Sequence, residues 1–401
     1  MSSWINPFAH HNTLLAGYKL PILNLVILTL SNFRARTFLL CLRTVISIAI
    51  ALPNYLDGKL GGTQTFVDEL IPRLAANQDF EVTVYCQKGQ SMNGLSNCSV
   101  ENVFMSASSK LTSLLSIMQV GMPKIRRRLK SHDLVYFPLQ SSFRISSIGT
   151  LSLATIHDVQ HLDLPHLFSK LERLYRFVAY DRQATKFSHI ATDSEFSRER
   201  IIHHLKIDNR KIDSILIGTR VIFNTSLEPR QDFLLFPARS WPHKNHSNLF
   251  EAIRLMKRNG RTVRLILTGE PPDVPDDLLD SIENLGRIDQ ATLDNLYCTA
   301  RALVFPSLYE GFGLPPIEAM SAGCPVYVSN AGSLPEVCGD AAIYFDPLSV
   351  ESIHDAILNS EVIDAERIEK GKIRASGLNW DSTAEKYGDL IRHMVNEKYN
   401  F

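Results

Sequence analysis

The sequence predicts an α/β protein made of two Rossmann-like, doubly wound parallel-sheet domains facing one cleft. Three observations carry that expectation. The chain has 401 residues, 45% of them apolar and 21% charged, which suits two medium cores and excludes a disordered chain. Short apolar β-rich runs alternate with helix-length segments, the pattern of a parallel sheet covered on both faces. The runs form two series, separated near the middle of the chain by Gly218 to Gln231, a stretch mixing Gly, Thr, Asn, Ser and Pro that reads as a linker.

Residues 1–44 carry four basic and no acidic residues and show no clean period. They read as an N-terminal extension, with a membrane-surface anchor as the alternative. Their apolar run, Pro21 to Leu30, is too short for a ~30 Å bilayer, and Asn24 interrupts it. Neither a transmembrane helix nor a signal peptide is expected. The first domain, 45–220, supplies strands at Val45–Leu52, Glu81–Cys86, Leu134–Phe137, Leu151–Ile156 and His189–Thr192. The second, 232–380, supplies Phe233–Phe236, Val263–Thr268, Ala302–Phe305, Pro325–Ser329 and Ile343–Phe345. The final segment, 381–401, has apolar residues at helical spacing (Ala384, Tyr387, Leu390, Ile391, Met394) and reads as a packing helix.

The charges, 42 basic and 42 acidic, cancel overall but are unevenly spread. Residues 1–230 carry 26 Lys and Arg against 17 Asp and Glu; residues 231–401 carry 16 against 25. A basic half suits phosphate or an anionic membrane surface, although complementary domains would show the same split. Lys124, Arg126, Arg127, Arg128 and Lys130 crowd five cations into seven residues, either a lipid-facing patch or a solvated helix face. No aromatic interleaving or known module accompanies them, so nucleic acid is not an expected partner. Six scattered cysteines without a C-x-x-C pair point to a reducing compartment and no structural metal.

Ligands of open α/β sheets sit beyond the carboxyl ends of the strands, so the residues just after each strand are the ones to read. The richest such segment is Phe305 to Gly323. A loop with Gly311 and Gly313 runs into a helix for which Pro316 serves as the first residue, so that Glu318 falls in its first turn. Free N–H groups and the helix dipole there attract phosphate, while Glu310 and Glu318 can accept from sugar hydroxyls. A self-capped helix after an ordinary turn is the plain alternative.

After the first strand of the second domain, Arg239 and Lys244 can converge on a diphosphate. The chain contains no Asp-x-Asp pair to hold a divalent ion, so neither metal nor cofactor is expected. Gly61 and Gly62 read as an anion-tolerant helix start after the first strand of the first domain, with a plain loop as the alternative. His157 and Asp158 follow a later strand, where they could orient or deprotonate an acceptor hydroxyl.

With these residues in place the chain resembles the retaining GT-B glycosyltransferases of family four, from about Val45 to the end. Glu310 and Glu318 match the family's Glu-x7-Glu signature, and Arg239 and Lys244 its diphosphate-binding pair. Gly61 and Gly62 match its glycine loop, and His157-Asp158 its cleft histidine region. The resemblance places Gly311, Phe312, Gly313 and Leu314 along the donor. It makes Leu285-Gly286-Arg287-Ile288 a strand meeting the nucleotide base, beside Thr268 and Gly269. Ser240 to His246 is similar to bacterial enzymes, often mannosyltransferases using GDP-mannose, that build O-antigen or capsule. The resemblance implies a nucleotide diphosphate sugar donor, a glycan or lipid-linked glycan acceptor, and a cytoplasmic enzyme peripheral to the inner face of the membrane. A sugar-phosphate synthase, a sugar-nucleotide epimerase or a non-catalytic sugar-nucleotide-binding protein are the competing readings.

Overall fold

The computed structural model describes residues 45–55, 61–88, 98–104, 122–139, 148–222, 230–360 and 364–399. The expected extension, 1–44, and residues 57–60 before the glycine pair lie outside them.

Seven parallel strands form the first sheet: β1 (Ile46–Ala51), β2 (Phe80–Gln87), β3 (Ser99–Phe104), β4 (Leu134–Phe137), β5 (Leu151–Thr155), β6 (His189–Thr192) and β7 (Ile212–Ser214). Their order is β3-β2-β1-β4-β5-β6-β7. Six parallel strands form the second: β8 (Gln231–Pro237), β9 (Leu265–Thr268), β10 (Ile282–Asn284), β11 (Ala300–Phe305), β12 (Val326–Ser329) and β13 (Ile343–Phe345), ordered β10-β9-β8-β11-β12-β13. Each sheet reverses direction beside its first strand, which is where a crevice opens in such folds. Central strands such as β4 are buried throughout, because helices cover both faces. Register is pinned by a buried polar pair: Asp133 Oδ2 accepts from Ser47 N at 2.8 Å and from Ser47 Oγ at 2.9 Å.

The ten strands read from the apolar runs all appear, with ends shifted by a few residues. Three strands were not expected: β3, β7 and β10. Two corrections concern chain paths. Gln231, taken as the end of the linker, is the first residue of β8. The run Leu285 to Ile288, expected as a strand, is the loop that follows β10. Gly286 there has a φ of 61°, which an extended strand cannot contain.

The helices that matter for the site are α1 (Gly62–Ala76), α2 (Pro123–Lys130), α3 (Glu195–Leu205), α4 (His246–Arg258), α5 (Leu314–Ser321) and α6 (Trp380–Tyr399). The last, α6, returns to the first sheet. Its Tyr387 is fully buried and lies 3.0 Å through its hydroxyl from Thr155 Oγ1 at the end of β5. Phe66 of α1 packs edge-on against Tyr387, against Trp380 and against the His157 ring, whose centroid is 4.9 Å away. The terminal helix thus braces the strand end that carries His157.

The two crossings between the sheets run side by side, with Thr219 N donating to Leu378 O at 2.8 Å. A Cβ on Gly218 would lie 2.3 Å from Trp380 N, so only glycine lets the two backbones meet. Gly218→Ala is expected to cost ~1–3 kcal/mol through overpacking, read as a lower midpoint in urea denaturation.

Candidate active site

The carboxyl ends of β1, β5, β8 and β11 face one another around a cavity of about 340 Å³. Gly61, Gly62, His157 and Asp158 line it from the first domain; Arg239, Lys244, Glu310, Gly311, Phe312, Gly313, Leu314 and Glu318 line it from the second. A neighbouring cavity of about 530 Å³ shares His157, Asp158, Trp241, Lys244, Glu310 and Gly311 and extends past Arg176, His243 and Tyr309. The two spaces meet at Glu310.

Lys244 is held by a 3-10 turn, Pro242–Lys244, just before α4. Its Nζ donates to Glu310 Oε1 at 2.6 Å, and both side chains are only 12% exposed. A pair so shielded from water keeps much of its Coulomb attraction and holds both groups at the cavity wall. Arg239 Nε lies 3.9 Å from Glu270 Oε2, and Arg287 Nε lies 2.8 Å from Glu270 Oε1. Glu270 therefore sits between two guanidinium groups just outside the cavity. Thr268, Gly269, Arg287 and Ile288 are not among the cavity-lining residues. They lie one strand outward, where Ala238 N donates to Thr268 O at 3.0 Å and Gly269 N to Gly286 O at 2.8 Å.

The loop before α5 is anchored through its carbonyls. Ser333 Oγ donates to Glu310 O at 3.0 Å and to Phe312 O at 2.9 Å, and Ser194 Oγ donates across the cleft to Gly311 O at 2.7 Å. Among the described residues, the N–H groups of Gly311, Phe312 and Gly313 make no hydrogen bond within the protein. They remain donors beside the positive end of α5, a helix start with affinity for phosphate. The helix begins at Leu314, two residues earlier than expected, with Pro315 and Pro316 inside its first turn. Glu318 consequently lies in the second turn, not the first. Its Oε2 accepts from Tyr297 OH at 3.1 Å and its Oε1 lies 3.4 Å from Arg220 Nη2. Burial pushes the Glu318 carboxyl above the ordinary range, and Arg220 and Tyr297 restrain that rise.

On the opposite wall, His157 Nδ1 lies 2.7 Å from Asp193 Oδ2. Burial opposes charge on the imidazole, but the Asp193 carboxylate outweighs it and holds His157 above its usual pKa. Asp158 Oδ1 accepts from Gln160 N at 3.1 Å, which orients the carboxylate. Burial raises its pKa, against the pull of the Gln160 N–H, Arg176 and His157. The walls are in direct contact here: a Cβ on Gly311 would lie 2.6 Å from His157 O. The Glu336 carboxylate also caps α3 from the other domain, accepting from Glu195 N at 2.8 Å and Phe196 N at 2.9 Å.

Several of these partners were not anticipated. Asp193 directly follows β6 and Glu270 stands two residues past β9, so reading the residues just after each strand finds both. Arg220 and Tyr297 reach Glu318 across 98 and 21 residues, and only the fold brings them together. Among the described residues no three His, Cys, Asp or Glu side chains group to hold a metal ion.

His243 and His246 flank Lys244, and burial pushes both imidazoles down to about 4. Their folded pKa lies below the ordinary value of ~6.5. Their neutral forms therefore contribute stability that is complete above about 6.5 and is lost as pH falls through 4. Melting temperature should drop between pH 7 and 4.5, and His246→Phe should flatten that drop. An unchanged acid limb in the variant would contradict the assignment.

Two Rossmann-ordered sheets with cations, free amides and carboxylates converging between them define a GT-B glycosyltransferase fold. A sucrose-phosphate synthase from Thermosynechococcus elongatus shares that fold, with a TM-score of 0.71 over 87% of this chain and 99% of its own, at 18% identity. The family model Glycosyltransferase Family 4 matches residues 60–219, and Glycosyl transferases group 1 matches residues 219–367. The chain belongs to this glycosyltransferase family. It is 32% identical over 260 residues to O-antigen chain mannosyltransferase B of Escherichia coli, covering 58% of this chain and 67% of that one. It is 30% identical over 214 residues to O-antigen chain mannosyltransferase RfbU of Salmonella typhimurium, covering 52% and 60%.

Proposed function

We propose that the protein transfers mannose from a nucleotide diphosphate sugar, GDP-mannose, to a hydroxyl of a glycan or lipid-linked glycan in cell-surface polysaccharide synthesis, with retention at the anomeric carbon. The observation that carries this reading is the single cavity into which Arg239, Lys244, the Gly311–Gly313 loop, Glu310, Glu318, His157 and Asp158 converge. The sugar identity is supported by the two O-antigen mannosyltransferases to which the chain is similar.

In this reading the bond between the anomeric carbon and the diphosphate oxygen breaks as negative charge grows on the departing phosphate. Lys244, Arg239, the loop amides and the α5 dipole lie where that charge develops, which lowers the barrier. The donor phosphate displaces Glu310 from Lys244, freeing its carboxylate to orient the sugar and steady its oxocarbenium-like state. Glu318 accepts from the ribose hydroxyls. His157, oriented by Asp193, and Asp158 position the acceptor hydroxyl and take up its proton. Contact between the walls at Gly311 excludes water that would hydrolyse the donor. Thr268, Gly269, Arg287 and Ile288 border the nucleotide base from outside the cavity. The fixed cations let the leaving group depart without a divalent ion.

The enzyme would work in the cytoplasm at the inner face of the membrane. No helix of the described residues is long and apolar enough to cross a bilayer. Helix α2 buries Ile125 and Leu129 and exposes Lys124, Arg126, Arg127, Arg128 and Lys130, which suits an anionic surface.

A thermal-shift screen of GDP-, UDP- and ADP-sugars tests the donor, with stabilisation by GDP-mannose expected. Product analysis tests the reaction: a lengthened glycan supports it, a free small disaccharide phosphate means a synthase, an altered sugar nucleotide an epimerase, and binding without turnover a sensor. Activity should survive chelator; loss restored by Mg²⁺ would overturn metal independence.

A further inference from the structure

One wall of the second cavity is formed by the helix Lys170–Arg176, which the π turn Phe177–Asp181 continues. Glu172 and Arg176 face inward and line the cavity. Their side chains are 3.4 Å apart, and the Arg176 guanidinium lies 4.8 Å over the Phe168 ring. At ~100° per residue, Leu171, Leu174 and Phe177 fall on the opposite side. They are 80%, 59% and 54% exposed. The other exposed large apolar residues of the described chain are isolated along it.

The exposed charges of this segment have one sign. Between residues 164 and 186 the exposed charged side chains are Lys170, Arg173, Arg182 and Lys186. The two acids of the segment turn inward, Glu172 to Arg176 and Asp181 to His161 at 2.9 Å. An exposed apolar stripe flanked along its own segment by cations suits the boundary between lipid headgroups and acyl chains, where apolar side chains insert and cations meet phosphate.

We propose that this face docks on an anionic bilayer, with Leu171, Leu174 and Phe177 inserted, so that the mouth of the second cavity opens towards a lipid-linked acceptor. The inference rests on the transfer reading and adds the surface through which the acceptor is delivered. One helix then has two roles: its inner face borders the reaction space and its outer face sets the distance to the membrane.

The test is flotation of the full chain with vesicles of phosphatidylcholine containing about 30% phosphatidylglycerol, compared with phosphatidylcholine alone. Binding to the anionic vesicles is expected, and L171D/L174S should reduce it at least ~10-fold while leaving transfer to a water-soluble acceptor unchanged. Wild-type protein that transfers sugar but does not float, or a variant that floats like wild type, overturns the proposal. A concentration-dependent dimer abolished by L171D/L174S would assign the stripe to a second copy instead. Absence of transfer from the wild type in buffer would count against the transfer reading, and flotation is read independently of it.

Discussion

Lys244→Ala should lower kcat/KM by about 100-fold or more, on the order of 3 kcal/mol of transition-state stabilisation. The ammonium lies 2.6 Å from Glu310 in a wall only 12% exposed, so water cannot replace the lost charge at the departing diphosphate. The substitution also leaves the Glu310 carboxylate without its partner, an additional penalty for the empty site. Lys244→Arg keeps the charge but not the point geometry and should recover part of the loss. The measurement is steady-state transfer at saturating acceptor; unchanged turnover in the alanine variant would count against the diphosphate clamp.

Gly311→Ala should cost a similar factor for a different reason. The added Cβ would meet the His157 carbonyl oxygen at 2.6 Å and the Asp158 Cβ at 3.2 Å. Both contacts cross the cleft, and the first is to backbone, which cannot rotate away. The walls must part by a fraction of an ångström to an ångström, and displacements of that size cost about 100-fold in rate. The strain is confined to a loop at the cleft and the added methyl removes no buried apolar contact, so the melting temperature should move little. The ratio of donor hydrolysis to transfer should rise, because the parted walls admit water. Wild-type kinetics in this variant would show that closure at Gly311 is irrelevant to the reaction.

What could be read from the chain follows from burial. Strands covered on both faces are written as continuous apolar runs, so β1, β4, β5, β8, β11 and β12 were legible almost to the residue. The three strands that escaped, β3, β7 and β10, are all sheet edges. In β3, Ser-Val-Glu-Asn-Val-Phe, most positions are exposed or half-buried, which leaves no apolar run to recognise. The site divides in the same way. Lys244, Glu310 and His157 lie in the loops that follow strands and Glu318 in the helix that the last such loop enters, positions to which the fold class directs attention. Their partners are set by tertiary packing: Asp193 is 36 residues from His157 and Arg220 is 98 from Glu318. The helix α6 illustrates the limit best. Its periodicity revealed a packing surface, yet nothing in it revealed that Tyr387 would brace the strand end of β5, 232 residues earlier.

In the proposed reaction, fixed cations and loop amides grip a diphosphate between the two domains. Calorimetric titration in the presence of chelator, comparing the nucleoside diphosphate of the preferred donor with its monophosphate, tests this most directly. The diphosphate should bind about 100-fold more tightly, ~3 kcal/mol, and the difference should collapse in a variant carrying both Arg239→Ala and Lys244→Ala. Equal affinity for the two nucleotides, or a preference that survives the loss of both cations, would contradict the account.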